Sequence, residues 1–208
     1  MGREDWYRNT EWNPEIEQEF HSRLKRSRSQ RDQNLVIQAL TLAKHQPQKA
    51  LELVEFFFET RTNDFEDMRA YLAGANAYIE LNDLENTLEW YKKVLKREKE
   101  CPKHLSTTYL DYPYLVAKEK IEAEYEHALE VLLENVDRPM FPSDHYQWNA
   151  ALALITYEQG DKEKSMKHAA LALEAAQIKK SGFRYHQNVG IVGKEYKNEI
   201  KELQKIGT

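Results

Sequence analysis

The chain has 208 residues, of which 41% are hydrophobic and 31% are charged, a balance that excludes an intrinsically disordered chain and a membrane-embedded one. Its net charge of −5 disfavours general nucleic-acid binding, and its single cysteine, Cys101, excludes an intrachain disulfide. Few glycines and prolines favour an all-α fold, while the lack of a long apolar run or a signal-peptide core predicts a cytoplasmic protein that does not enter the membrane.

Residues 1–31 are predicted to form an N-terminal segment followed by a capping helix. Asn13 is a good N-cap residue, and Pro14 suits the first position of a helix. Trp6 and Trp12 precede this helix in the stretch WYRNTEW. Tryptophans are costly to leave in water, so we expect them to pack on the helices, with a recognition surface as the alternative.

Four helix–turn–helix units are predicted between residues 32 and 175. Their first helices are expected over 34–44, 70–81, 113–122 and 147–158. Each second helix shows the same spacing frame, in which a small residue is followed by apolar residues one, four and eight positions later. In the second unit the aromatic Tyr91 takes the position four residues after the small one. The small residues are Ala50, Thr87, Ala128 and Ser165, which are 37, 41 and 37 residues apart. This frame also places Val136 and Met166 in the buried stripe.

Two of these units resemble the tetratricopeptide repeat, whose pattern extends over about 34 residues. In residues 70–95, Tyr71 stands at the tryptophan position of that pattern and Ala75 at its glycine position. In residues 149–173, Gly160 and the following aspartate match the common turn. The resemblance implies an α-α superhelix of about four repeats, whose concave face often binds peptides or protein segments. A compact helical bundle is the alternative architecture.

Two stretches outside the helical pattern are rich in aromatic residues. HLSTTYLDYPYL (104–115) is predicted to be a long link between units, and SGFRYHQNVGIVG (181–193) an irregular segment. The second stretch belongs to the C-terminal part, residues 176–208. That part is expected to end in a second capping helix over 194–206, because its apolar residues follow helical spacing.

The resemblance also assigns candidate partner-binding residues. The concave-face positions of the family fall on Arg69, Asn76, Glu80, Gln147, Leu154, Tyr157 and Glu158. The segment 181–193 either packs back on the helices or forms a recognition surface. In the second case Arg184 and Tyr185 are predicted to extend this face, since arginine and tyrosine combine a large contact area with directional hydrogen bonds. A mixed polar and apolar face suits a protein or peptide ligand.

No catalytic residue, cofactor or metal site is predicted. The seven histidines are scattered, no G-x-S-x-G motif occurs, and GIVGK (190–194) lacks the spacing of a phosphate-binding loop. A local basic run is interpreted as a solvated helix end, with contact to an acidic partner or a phosphate backbone as the alternative. Its members are Arg23, Lys25, Arg26, Arg28 and Arg31.

The sequence therefore predicts a non-catalytic helical-repeat protein that binds a protein or peptide partner. One alternative is an immunity or antitoxin-like protein that blocks a toxin by direct binding, which suits a small, acidic chain made of one array. A second alternative, from another class, is a small hydrolase or nucleotide-binding enzyme on a helical scaffold.

Overall fold

The described part of the chain, residues 6–207 of a computed structural model, consists of α-helices and two short 3-10 turns and contains no β-strand. The predicted all-α class is confirmed for these residues. The helices are α1 (Pro14–Leu24), α2 (Arg31–Ala43), α3 (Pro47–Thr60), α4 (Asp67–Glu80), α5 (Leu84–Glu100), α6 (Thr108–Lys118), α7 (Tyr125–Glu134), α8 (Pro142–Glu158), α9 (Lys162–Gln177) and α10 (Lys197–Ile206). Within residues 6–207, none of these helices is both long and apolar enough to cross a membrane.

The helices divide into two compact units, the first ending at Ser106 and the second beginning at Thr107. The first unit contains α1–α5, and the second contains α6–α10. The predicted boundaries after residues 31 and 175 stay predictions. Residues 1–5 of the predicted N-terminal segment lie outside the described residues.

The first unit is built from two helical hairpins, α2–α3 and α4–α5, each joined by three residues. Helices α2, α3 and α4 pack against one another, and α1 packs on α2. The predicted cap of α1 is confirmed, because Oδ1 of Asn13 accepts hydrogen bonds from the backbone N–H groups of Glu15 and Ile16 at 3.1 and 2.9 Å. Pro14 follows at the first helical position.

The stretch before α1 is held against the core of the first unit. The side chain of the buried Gln38 accepts a hydrogen bond from the backbone N–H of Asn9 at 2.9 Å and donates one to its carbonyl at 2.7 Å. Trp12 is buried, and its ring lies 5.3 Å from that of Phe20. The expectation that Trp12 packs on the helices is therefore confirmed.

The second unit contains the hairpins α6–α7 and α8–α9, and α10 packs on both α8 and α9. The start of α10 is fixed by aromatic contacts. The ring of Tyr196, in the 3-10 turn before α10, lies 4.8 Å from that of Tyr146 and 5.8 Å from that of Tyr114. Burial among these rings raises the pKa of Tyr196 to about 12.

Three of the four hairpins close with the same backbone turn. A residue with positive φ follows the first helix: Asn82 (56°), Lys120 (53°) and Gly160 (81°). The next backbone N–H then donates to the carbonyl five residues back, as in a Schellman motif. The three bonds are Asp83 to Tyr78 (3.0 Å), Ile121 to Val116 (3.0 Å) and Asp161 to Thr156 (2.9 Å). Asp83 and Asp161 also cap the following helix. In these two turns the residue with positive φ ends one helix, and the aspartate after it starts the next.

The small residues of the predicted frame, Ala50, Thr87, Ala128 and Ser165, are all buried. The frame also predicts that Val136 and Met166 are buried, and this is wrong, because Val136 is 54% exposed and Met166 is 45% exposed. Val136 lies beyond the end of α7 at Glu134. Helix α9 buries only a narrow stripe of small residues, and Met166 is rotated about 100° from Ser165, out of that stripe.

The prediction that 104–115 is a long link is also wrong, because α6 begins at Thr108, five residues before the predicted start of that helix. Pro113 lies inside α6, where it removes one backbone hydrogen bond. Burial outweighs this cost, since Tyr109, Leu110 and Tyr112 are all in the core of the second unit.

Candidate partner-binding site

The three predicted binding residues of the first unit lie on one stripe of α4. Arg69, Asn76 and Glu80 are seven and four residues apart, which places them on the same side of a helix. Arg69 is half-exposed and forms a 2.9 Å ion pair with the buried Glu66 one turn earlier. Asn76 is half-buried, and Glu80 is exposed at the last residue of the helix.

In the second unit, Gln147, Tyr157 and Glu158 lie on α8. Gln147 is half-buried, and Tyr157 is 52% exposed. Glu158 is paired with Lys120 at 2.7 Å, an ion pair that joins the end of α8 to the turn after α6. Leu154 is buried, so its assignment to a binding face is wrong.

Arg184 and Tyr185 are exposed in the segment between α9 and α10. Tyr185 is 81% exposed, and the guanidinium of Arg184 lies 5.3 Å from the centre of its ring. The segment is attached to the start of α8, because Phe183 contacts Phe141 and the carbonyl of Gly190 accepts a hydrogen bond from the residue after Pro142.

This attachment places Arg184 and Tyr185 near the start of α8, the end that carries Gln147. Phe141 and Tyr157 stand at opposite ends of α8. At 1.5 Å per residue, the two ends of that helix are about 24 Å apart. Arg184 and Tyr185 therefore lie at the opposite end of α8 from Tyr157, and their extension of the predicted face stays a prediction.

A site that the sequence did not predict lies in the first unit, between α3, α4 and α5. It is an open groove of about 540 Å³, here called the α3–α5 groove. Helix α3 contributes one face, α4 contributes one tyrosine and α5 one tryptophan. The lining residues are Leu51, Glu55, Phe58, Glu59, Tyr78 and Trp90.

Trp90 packs closely on α4 because that helix has a glycine opposite it. A Cβ atom on Gly74 would lie only 2.3 Å from Cε3 of Trp90, so the indole rests directly on the backbone of α4. Its ring centre is 6.3 Å from that of Phe58 and 5.8 Å from that of Tyr78. Tyr71 lies beside both, stacked on Phe58 at 4.9 Å and edge-on to Trp90 at 5.8 Å.

Two acidic side chains stand beside these rings. Glu55 and Glu59 are both exposed, and within the described part of the chain neither carboxylate has a hydrogen-bond or ion-pair partner. The cations nearest the aromatic rings are Arg61, 4.9 Å from the centre of Phe58, and Lys93, 4.5 Å from the centre of Trp90. These two residues are not part of the groove lining, whose charged members are the two glutamates.

A second open cleft, of about 750 Å³, lies at the N-terminal end of the same unit. It is lined by Trp6, Tyr7, Arg23, Arg26, Ser27, Gln30 and Asn34. Part of the basic run is already used inside the protein. Arg23 pairs with Glu19 at 2.6 Å, and Arg31 bonds Asp32 at 2.8 Å and the hydroxyl of Thr60 at 2.7 Å.

One buried polar network lies in the second unit. The buried hydroxyl of Tyr112 donates to Glu124 at 2.7 Å and lies 2.8 Å from Nδ1 of His127, which therefore donates to it. This network ties α6 to α7. Among residues 6–207, no three or more His, Cys, Asp or Glu side chains are grouped to hold a metal ion.

Comparison of the chain with protein-family models, with curated proteins and with solved structures gives no match. The resemblance to tetratricopeptide repeats therefore stays a prediction, and the function has to be argued from the geometry of the site.

Proposed function

We propose that this protein is a non-catalytic, tetratricopeptide-like helical-repeat protein that binds a segment of a partner protein. The predicted superhelix of four hairpins is part of this proposal. The shared turns of three hairpins and the buried small residues of all four second helices support a repeated unit.

The observation that carries the binding function is the α3–α5 groove. Phe58, Tyr78 and Trp90 remain only partly buried although they come together from three helices. Half-exposed aromatic residues in a concave site are the side chains that most often dominate protein–protein binding energy. The volume of about 540 Å³ also falls within the range of ligand sites.

Affinity capture with the purified protein as bait tests this proposal. Proteins retained from native lysate by the wild type are compared with those retained by Trp90→Ala and by the double variant Glu55→Gln, Glu59→Gln. The control is the double variant Glu52→Gln, Glu89→Gln, which removes two exposed carboxylates from α3 and α5 outside the groove. Each variant is first checked for helical content by circular dichroism.

Support for the proposal is a partner that the wild type and the control retain and that the groove variants lose. Equal retention by all variants would remove the groove from the binding function. A toxin among the retained proteins would favour the immunity-protein alternative.

A further inference from the structure

The aromatic rings of the α3–α5 groove are arranged to attract a positive charge. The faces of indole, phenol and phenyl rings carry partial negative charge, and a cation is attracted when it lies within about 6 Å of a ring centre. Trp90, the strongest of these rings, stands between Phe58 and Tyr78 at 6.3 and 5.8 Å. A side chain that enters beside Trp90 therefore meets more than one ring.

The cations of the chain itself show that this aromatic cluster binds positive charge. Arg61 lies over Phe58 at 4.9 Å, and Lys93 lies over Trp90 at 4.5 Å. Neither residue is part of the groove lining, which contains no basic residue.

The two glutamates determine the sign of the charge that a ligand must carry. Glu55 and Glu59 are one turn apart on α3 and line the groove next to Phe58. Neither has a partner among the described residues. A neutral, apolar segment would cover these carboxylates without pairing them, and leaving a charge desolvated and unpaired is unfavourable. An acidic segment would be repelled by both.

We propose that the α3–α5 groove binds one cationic side chain, a lysine or an arginine, of a basic segment in the partner protein. The charge lies against the rings of Trp90 and Tyr78 and pairs with Glu55 and Glu59. Leu51 contacts the aliphatic part of the side chain. This inference rests on the proposed binding function and names the chemistry of the partner.

Short peptides test the inference without a known partner. The probe is acetyl-Gly-Gly-Lys-Gly-Gly-amide, compared with the same peptide carrying trimethyl-lysine, acetyl-lysine, norleucine or glutamate in place of lysine. Binding is followed by NMR through the indole N–H signals, which are few and well separated. The chain has four tryptophans, Trp6, Trp12, Trp90 and Trp148, so three signals serve as internal controls and Trp90→Phe assigns the fourth.

The lysine and trimethyl-lysine peptides are expected to shift the Trp90 signal with millimolar affinity, and the acetyl-lysine, norleucine and glutamate peptides are not. Binding of the lysine peptide should weaken roughly 2- to 10-fold in the variant Glu55→Gln, Glu59→Gln. It should also weaken as salt is added, while the variant Glu52→Gln, Glu89→Gln should bind like the wild type.

Three results would overturn the inference: no Trp90 shift with the lysine peptide at 20 mM, equal shifts with norleucine or acetyl-lysine, or wild-type affinity in the variant Glu55→Gln, Glu59→Gln. Its failure is separable from that of the proposed function. If the groove variants lose a captured partner while the peptides show no charge preference, the binding function stands without the cation. If the Trp90 signal responds to the lysine peptide while the groove variants still capture the same proteins, the groove binds the cation but does not carry the proposed binding function.

Discussion

Replacement of Gly74 by alanine tests the contact that creates the α3–α5 groove. The new Cβ would lie 2.3 Å from Cε3 and 2.4 Å from Cζ3 of Trp90. Carbon atoms in contact prefer a separation of about 3.5 Å, so the indole has to retreat by roughly 1.2 Å. It cannot retreat freely, because Phe58, Tyr71 and Tyr78 surround it.

Two opposite effects determine the change in the free energy of unfolding. Alanine is favoured over glycine in a helix interior by about 1 kcal/mol. Overpacking of a tight contact costs about 1–3 kcal/mol. The Gly74→Ala variant is therefore expected to lose up to about 2 kcal/mol of stability. In a Trp90→Ala background the steric cost disappears, so the same substitution should stabilise by about 1 kcal/mol.

Urea denaturation followed by far-UV circular dichroism measures these differences. The sign reversal corresponds to a coupling free energy of about 1–3 kcal/mol between positions 74 and 90. Gly182→Ala is the control, because a Cβ at Gly182 meets no atom within 4 Å. A stabilised Gly74→Ala variant, or the same change in both backgrounds, would show that Trp90 does not rest on the backbone of α4.

Four further variants test other parts of the structure. Ala128→Leu should overpack the buried contact of α7 and cost about 1–3 kcal/mol, as measured by urea denaturation. Asp32→Ala should cost about 1–3 kcal/mol, because Asp32 accepts hydrogen bonds from the backbone N–H and hydroxyl of Thr62 at 2.8 and 2.7 Å. Burial of Asp32 raises its pKa, but the hydrogen bonds outweigh burial and lower the pKa below 3.8. The stability that Asp32 contributes is therefore complete above pH 3.8 and is lost as the pH falls through the lower pKa of the folded state. Tyr157→Ala and Arg184→Ala should each change stability by less than about 0.5 kcal/mol and leave the circular dichroism intact, and a loss of more than about 1 kcal/mol in partner binding would identify either as a hot spot.

Features that depend on neighbouring residues could be predicted from the sequence. Asn13, Asp83 and Asp161 start helices through their own side chains, and Gly160 ends one through a conformation that glycine adopts easily. These local signals explain the turns that end at Asp83 and Asp161.

Features that depend on tertiary burial could not be predicted from the sequence. Pro113 indicates a break when it is considered with its neighbours, yet α6 continues through it. The deciding contacts come from elsewhere in the chain, such as the guanidinium of Arg138, which lies 4.0 Å from the centre of the Tyr109 ring. Val136 was assigned to the core by spacing alone, and spacing carries no information on where a helix ends.

The α3–α5 groove escaped prediction for a related reason. Its rings, Phe58, Tyr78 and Trp90, come from three helices, and the family pattern treats such aromatic residues as packing between units. The one sequence signal was Gly74, a glycine inside a helical pattern, which often marks a close approach of another group to the backbone. That signal indicates that something approaches the backbone, but it does not identify Trp90.

The predicted binding residues of α4 and the α3–α5 groove lie on different sides of that helix, so mutations can distinguish the two surfaces. Asn76 belongs to the stripe and Tyr78 lines the groove. Two residues along a helix correspond to a rotation of about 200°, so these side chains leave α4 on nearly opposite sides. A single peptide segment in the groove therefore cannot also cover Asn76. A partner that loses affinity with Trp90→Ala but not with Asn76→Ala binds the groove, and the reverse pattern would return the binding site to the face that the family resemblance implies.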